Sequence, residues 1–543
     1  MAARDGLAAF NDAGVLEAAD VHVALRLGRL GGESDPAVLL AAALAVRAVR
    51  LGSVCVDLER LREVYVEDVD IDALPWPAYD DVVAGLRVSP LVVGSSAGAL
   101  RPLRLVDTDE GLLLYLERYF RQEQTIRQFL DSRSGSSPPY DTSELGAGLA
   151  TAFPAAAPDR QRVAAALAVT RWTSVVTGGP GTGKTHTIAR IVLLLQAQAP
   201  GLRVALAAPT GKAAARLEEE VGASGLDLRA MTLHRLLGWL PGSSSRFRHD
   251  ATNRLPYDVV VVDECSMVSL TMMARLMEAV RPDARLVLVG DADQLASIDA
   301  GAVLADLVAR PGGGSVDPAL ARVVGADLAA VDDPLEARLS PGELAGLGNG
   351  MVRLSRGRRF GGAIASLAVA IRNGDADEAM ALLTSGADEL SFHAPGDMSE
   401  LQEDVIATSL AVMSAAEAGD ADGALAALEE HRLLCAHRHG PFGVAEWDRR
   451  AREWVQAATG QRLDPWTWYP GQPLLVTAND YDAKVYNGDT GVVVASRDGV
   501  VAVFGRAGEP VRLHPSRLAA VQTVYAMTIH RSQGSQYRRV SVV

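Results

Sequence analysis

Cysteine and lysine are both scarce in this 543-residue chain, and no apolar run is long enough to cross a bilayer. Cys55, Cys265 and Cys435 are far apart and odd in number. That excludes a disulfide framework, fits a reducing compartment, and leaves the thiols to be read as small buried hydrophobes. The start, Met-Ala-Ala-Arg-Asp-Gly, has no signal-peptide core, and the stretch from Leu39 to Val49 meets Arg before reaching membrane length. A soluble cytoplasmic protein with no membrane partner is expected. The lysines are Lys184, Lys212 and Lys484, and Arg carries the remaining positive side-chain charge. The Ala, Gly and Arg bias is that of a GC-rich genome. A formal charge of −15 excludes coating of duplex DNA by bulk electrostatics, so any nucleic-acid site must be local.

Nearly half the residues are apolar, enough to bury several cores, and the length suggests three or four units. There is no internal repeat and no long low-complexity tract. Residues 1–150 read as helical, with apolar spacing over 37–51 and 112–130 and breaks around 90–98. From about Gln161 the texture changes to short apolar runs, each followed by a turn and a helical pattern: 173–176, 204–208, 259–262 and 286–289. That alternation predicts an α/β fold with a parallel sheet. Gly, Pro and Asp crowd 310–350, where a boundary is expected. Val-rich runs at 491–495 and 499–504, broken by Asn487-Gly488-Asp489 and Arg497-Asp498-Gly499, predict hairpins and a small β-barrel insert.

Gly178, Gly179, Pro180, Gly181, Thr182, Gly183, Lys184 and Thr185 fit the Walker A pattern between a strand and a helix. In such a loop backbone N–H groups wrap the β-phosphate of ATP. Lys184 supplies charge to the β- and γ-phosphates, and the Thr185 hydroxyl binds Mg²⁺. The run from Val259 to Val262 ends in Asp263 and Glu264. An acidic pair after a strand is commonplace alone. Beside a Walker A loop it reads as Asp263 holding Mg²⁺ and Glu264 activating water. Gln161 precedes the loop by about one helix, and its amide can both accept from and donate to an adenine edge.

The order of further motifs is more specific than any single loop. Leu286 to Leu295, with Gly290, Asp291, Asp293 and Gln294, resembles motif III of superfamily 1 helicases. Ala208 to Arg216 resembles motif Ia, Thr232 to Arg235 motif Ib, Arg358-Arg359-Phe360 motif IV, and Met527 to Ser535 motif V. Within that superfamily the chain resembles the RecD family, through Asp20 to Leu27, Leu434 to Val444 and the Asn487-Gly488-Asp489 insert.

The resemblance implies a helical partner-docking domain over 1–145 and two RecA-like P-loop motor domains. The first covers 150–345. The second covers 350–543, apparently truncated, and carries an SH3-like β insert at about 472–522. It also implies 5′-to-3′ translocation on single-stranded DNA entered at a duplex end, and assembly with RecB-like and RecC-like subunits in a heterotrimer for double-strand break repair. By position, Gln294 senses the γ-phosphate and Arg359 acts as an arginine finger, while Thr210, Lys212, Thr232, His234, Thr528 and His530 line the DNA track. For each of these track residues a capping or surface polar role is the plain alternative.

Some features point elsewhere or nowhere. Cys435, His437 and His439 lack a second ligand pair, so no zinc site is expected. The seven Trp are read as core, and no carboxylate and Lys constellation suggests a nuclease centre. Gln536 departs from the Glu usual after Gly-Ser in motif V, and no motif VI Arg follows it. A longer natural product and slow turnover in this form are therefore expected. A stand-alone RecD-like helicase and a non-motor regulatory subunit remain the alternatives.

Overall fold

Runs that are apolar at every position can be buried on both faces, and three of them, 204–208, 259–262 and 286–289, build the centre of this α/β protein together with the Val175–Val176 pair. The computed structural model describes residues 2–543 except 65, 67–68, 94–100, 110, 155–157, 241–245, 296, 298, 311–315, 317, 329–338, 356–361, 395, 481, 498 and 506–509. Two compact units form, Met1–Ala205 with Leu233–Arg356, and Leu206–Thr232 with Gly357–Val543.

The N-terminal part of the first unit is mainly helical. Helix Pro36–Arg50 starts on Pro36, with the Asp35 side chain accepting from the Ala37 N–H at 2.8 Å, and it buries Val38 to Ala45. A small sheet accompanies the helices: β1 (Cys55–Asp57), β2 (Val92–Val93), β3 (Leu103–Thr108) and β4 (Gly111–Leu116), in the order β1-β4-β3-β2. The spacing over 112–130, which by itself predicts one helix, therefore splits. Leu112 and Leu114 alternate into the core as part of the β3–β4 hairpin, and the helix begins only at Glu117. Pairing with β3 on one side and with the distant β1 on the other overrides the local helical pattern.

Helix Glu117–Ser134 packs on helix Leu270–Ala279. The Gln122 amide oxygen accepts from the Thr271 hydroxyl at 3.0 Å. The buried Arg133 guanidinium donates to the carbonyls of Ala284 at 2.8 Å, Trp172 at 3.3 Å and Arg281. Near the start of this helix Glu123 lies in a half-buried group with Tyr115, Cys55 and Asp306; burial first, and then the Asp306 charge, push its carboxyl up to about 7. A carboxyl raised above its unfolded value stabilises the fold below the unfolded pKa, and that stability is lost as pH rises through about 7. Glu123→Gln is accordingly expected to raise the melting temperature at pH 8 and to change it little at pH 5. An equal effect at both would show that Glu123 is not held protonated.

The main sheet is parallel and six-stranded: β5 (Thr173–Gly178), β6 (Val204–Ala208), β7 (Ala230–Thr232), β8 (Val259–Val262), β9 (Arg285–Gly290) and β10 (Met351–Leu354), in the order β10-β5-β9-β8-β6-β7. Residues 351–354 thus join the first sheet, Val352 pairing with Val176, although the boundary expected from composition put them in the second motor domain. Three apolar residues around one arginine are too few to show on which side of a Gly-rich stretch they pair.

In the second unit β11 (His431–Cys435), β17 (Ala526–Thr528) and β18 (Arg539–Val542) form a parallel sheet in the order β17-β11-β18. Between them β12 (Pro473–Val476), β13 (Thr490–Ser496), β14 (Gly499–Phe504), β15 (Val511–Leu513) and β16 (Val521–Thr523) form an antiparallel sheet in the order β15-β14-β13-β12-β16. These strands occupy nearly the stretch marked by the hairpin turns. The segment 540–543 reads as a buried strand by composition. It does pair with β11, but at the sheet's edge, with Val540 at 44% and Val542 at 63% exposure. Among the described residues no helix is long and apolar enough to cross a membrane.

Candidate nucleotide site and nucleic-acid track

Parallel pairing fixes what meets at the carboxyl edge of the main sheet. Thr177 of β5 is level with Gly290 of β9, and Val262 of β8 with Leu288. The phosphate loop, the Asp263–Glu264 pair and the segment Asp291–Gln294 therefore leave adjacent strands at one edge.

The loop 178–183 passes into helix Lys184–Gln198 through Gly183 at φ +80°. A Cβ there would lie 2.4 Å from the Gln161 amide nitrogen, so glycine is required both by conformation and by close approach. Gln161 donates from Nε2 to the Thr182 carbonyl at 2.8 Å, while its Oε1 is buried without a hydrogen-bond partner. It braces the loop. The Lys184 ammonium donates to the carbonyls of Gly178 at 2.7 Å and Gly179 at 3.0 Å, folded over the cradle. Thr182 Oγ1 donates to the Gly179 carbonyl at 2.8 Å, Pro180 and Gly181 form the tip, and Thr185 is half-buried in the first helical turn.

Asp263 is buried, with Oδ1 accepting from the Glu264 N–H at 2.8 Å. Glu264 adopts φ 53°, ψ 41°, a left-handed conformation that a non-glycine residue keeps only where its surroundings impose it. Such strain concentrates at functional positions. Burial raises the pKa of Asp291, partly offset by the Lys184 charge, and Gln294 donates from Nε2 to Asp291 Oδ2 at 3.1 Å. Motif reading named Asp291 without a role, and passed over Arg353, which pairs with Asp293 from the end of β10. The pairing depends on β10 joining this sheet. Arg359, with Arg358 and Phe360, lies outside the described residues.

Of the six predicted track residues, Thr210 caps helix Gly211–Gly222, its hydroxyl accepting from the Ala213 N–H at 3.2 Å. Lys212 donates to Ser535 Oγ at 2.6 Å, both in the second unit. Thr232 is buried at the end of β7, and His234 is exposed in the first unit with its ring 5.9 Å from that of Phe247. Thr528 is buried and caps the short helix Ile529–Ser532, on which His530 is half-buried. The capping reading thus holds for Thr210 and Thr528 as a structural fact; it does not preclude a second role. Of the thiols, Cys265 and Cys435 are buried as read, whereas Cys55 is half-buried.

Residues 12–109 match the family described as RecBCD enzyme subunit RecD, N-terminal domain, and residues 161–300 match an AAA domain. A protein of Mycobacterium tuberculosis named RecBCD enzyme subunit RecD is 49% identical over 98% of this chain and 87% of its own length. The chain belongs to the RecD family. The RecD subunit of Mycolicibacterium smegmatis is 48% identical over 97% of this chain and 88% of its own. The ATP-dependent RecD2 DNA helicase of Deinococcus radiodurans is 32% identical, over 67% of this chain but 42% of its own length. Among solved structures, the Pif1 helicase from Bacteroides in complex with ADP-AlF3 and ssDNA is 16% identical, covering 68% of this chain and 82% of that one at a TM-score of 0.34.

Proposed function

We propose that this RecD-family chain is an ATP-driven 5′-to-3′ motor on single-stranded DNA, working beside RecB-like and RecC-like subunits in a cytoplasmic complex for double-strand break repair. The observation that carries the motor reading is the meeting of the phosphate loop, Asp263–Glu264 and Asp291–Gln294 at one sheet edge. The N-terminal match over 12–109 favours the complex subunit over a stand-alone helicase. Domain limits follow the sheets. Residues up to the helix ending at Ser134 form the N-terminal part, the first RecA-like domain runs to the end of β10, and the second follows with an SH3-like insert over β12–β16.

The residues present suit ATP and Mg²⁺. Gly178 and Gly183 let the loop pack where a Cβ would strike the Leu354 carbonyl or the Gln161 amide, Lys184 lies across the Gly178 and Gly179 carbonyls, and Thr185 and Asp263 supply a hydroxyl and a buried carboxylate. Thr185 and Asp263 would hold Mg²⁺, which would supply positive charge against the phosphates. Lys184 turns from the loop carbonyls to the phosphates, and Glu264 takes the proton of the attacking water. Gln294, held by Asp291, reports the γ-phosphate, and Arg359 neutralises developing charge. Thr210, Lys212, Thr232, His234, Thr528 and His530 contact the DNA backbone through hydroxyls and a few cations, weakly enough to release at each step. The test is ATP turnover by the full chain with and without oligo(dT), alongside purification from native cells. Strong stimulation and recovery of two partner chains are expected. Turnover indifferent to DNA would remove the motor reading and leave the regulatory one.

A further inference from the structure

Tryptophan is a residue that folding normally hides, and Trp466 is 90% exposed. It stands in the stretch Asp464–Gly471 that joins helix Val444–Thr459 to β12, between Pro465 and Trp468. The backbone there is set. Asp464 Oδ1 accepts from the Trp466 N–H at 3.0 Å, and the Asp464 carbonyl accepts from the Thr467 N–H and hydroxyl, both at 3.1 Å. Trp466 is thus presented outward by a turn, with Trp468 beside it at 38% exposure.

Both indoles line a cleft of about 660 Å³ within the second unit, together with Arg438, Arg452, Arg531 and Gln472. None of the three guanidinium groups forms an ion pair among the described residues. Asp448, which also lines the cleft, is already engaged, accepting from the Tyr525 N–H at 2.7 Å and the Ala526 N–H at 3.3 Å. Burial and the nearby Arg438 both disfavour the Arg531 charge. Gln472 is 2% exposed; its Nε2 donates to Thr523 Oγ1 at 2.8 Å, and its Oε1 has no partner. The wall also includes Thr528, a residue of motif V.

Aromatic faces among unpaired guanidinium groups, with an unsatisfied amide, match a chain of stacked bases joined by anions. We infer that this cleft holds a short stretch of single-stranded DNA, with a base stacked on Trp466 and backbone phosphates on Arg438 and Arg452. A protein segment would also value Trp and Arg. Three cations with no free carboxylate among them, at a wall shared with motif V, favour the polyanion. This inference rests on the reading of the chain as a motor on single-stranded DNA, and it names residues that no helicase motif contains.

The experiment measures binding of labelled oligo(dT) to the full chain by fluorescence anisotropy over a series of salt concentrations. Trp466→Ala is expected to weaken binding roughly ten-fold or more, with Trp466→Phe recovering most of the loss. Arg438→Ala and Arg452→Ala should each flatten the logarithmic salt slope by about 0.7. Trp466 packs against little, so its melting temperature should not move; loss of binding with loss of stability would count against stacking. Failure of the unsubstituted chain to bind oligo(dT) would overturn the motor reading itself. Tight binding indifferent to Trp466, Arg438 and Arg452 would overturn the cleft alone, as would loss of a protein partner in Trp466→Ala with oligo(dT) binding intact.

Discussion

Lys184→Ala and Glu264→Gln are each expected to abolish measurable ATP turnover, but to separate in nucleotide binding. Lys184 carries the one ammonium held over the phosphate loop, by the carbonyls of Gly178 and Gly179. Its removal takes away charge that is worth more in the transition state than in the ground state, and losses of about 10²–10³-fold follow from deleting one such donor. Binding should weaken too, because the same ammonium meets the ground-state phosphates. Glu264→Gln keeps shape and backbone and removes only the proton acceptor, a loss of about 10²–10⁴-fold. The cradle formed by Gly183, Gln161 and Lys184 is untouched, so ATP binding should persist. Steady-state turnover and a fluorescent-nucleotide titration on both variants decide the matter. Equal binding with near-normal hydrolysis in both would sink the assignment.

The second large effect concerns helix Glu117–Ser134. An N-terminal docking domain ending at residue 145 invites its deletion as a unit, yet the structure argues against that cut. Arg133 is buried, and burial holds its guanidinium down to about 10 while it satisfies three carbonyls of the motor's own sheet region. Arg133→Ala takes the guanidinium donor from the Ala284 carbonyl and leaves those of Trp172 and Arg281 with only the N–H groups of Leu286 and Ala284, at a cost of roughly 1–3 kcal/mol. Deleting residues 1–145 removes that donor together with the whole face packed on helix Leu270–Ala279, and the product is expected to be insoluble. A cut-down chain that stayed soluble and kept DNA-stimulated turnover would show that the helix belongs to the docking domain alone. Thermal melting of Arg133→Ala beside Arg133→Lys tests the smaller claim. Lysine restores a charge but not the fork that reaches three acceptors, so only partial recovery is expected.

What was legible in the amino-acid order is what depends on local rules. Val204–Ala208 and Val259–Val262 appear as strands at the limits their apolar runs suggest, because a strand buried on both faces must be apolar throughout. The phosphate loop was readable because its chemistry demands glycines, a lysine and a hydroxyl within eight residues. The hairpin turns marked the insert, since Asn-Gly and Asp-Gly sequences suit tight reversals. What only the tertiary structure decided depends on partners far away in the chain. Met351–Leu354 joins β5, and that pairing sets the edge from which Arg353 meets Asp293. Gly111–Leu116 is a central strand because β1, Cys55–Asp57, pairs along the edge that β3 leaves open. Arg133 is a motor residue because three carbonyls 39 to 151 positions away converge on it. Trp466 is exposed although tryptophan composition favours a core, because a loop, fixed by Asp464, turns it out beside arginines that residue spacing alone could not bring together. Local pattern encodes which segments bury apolar surface; long-range packing decides which buried and exposed groups share a site.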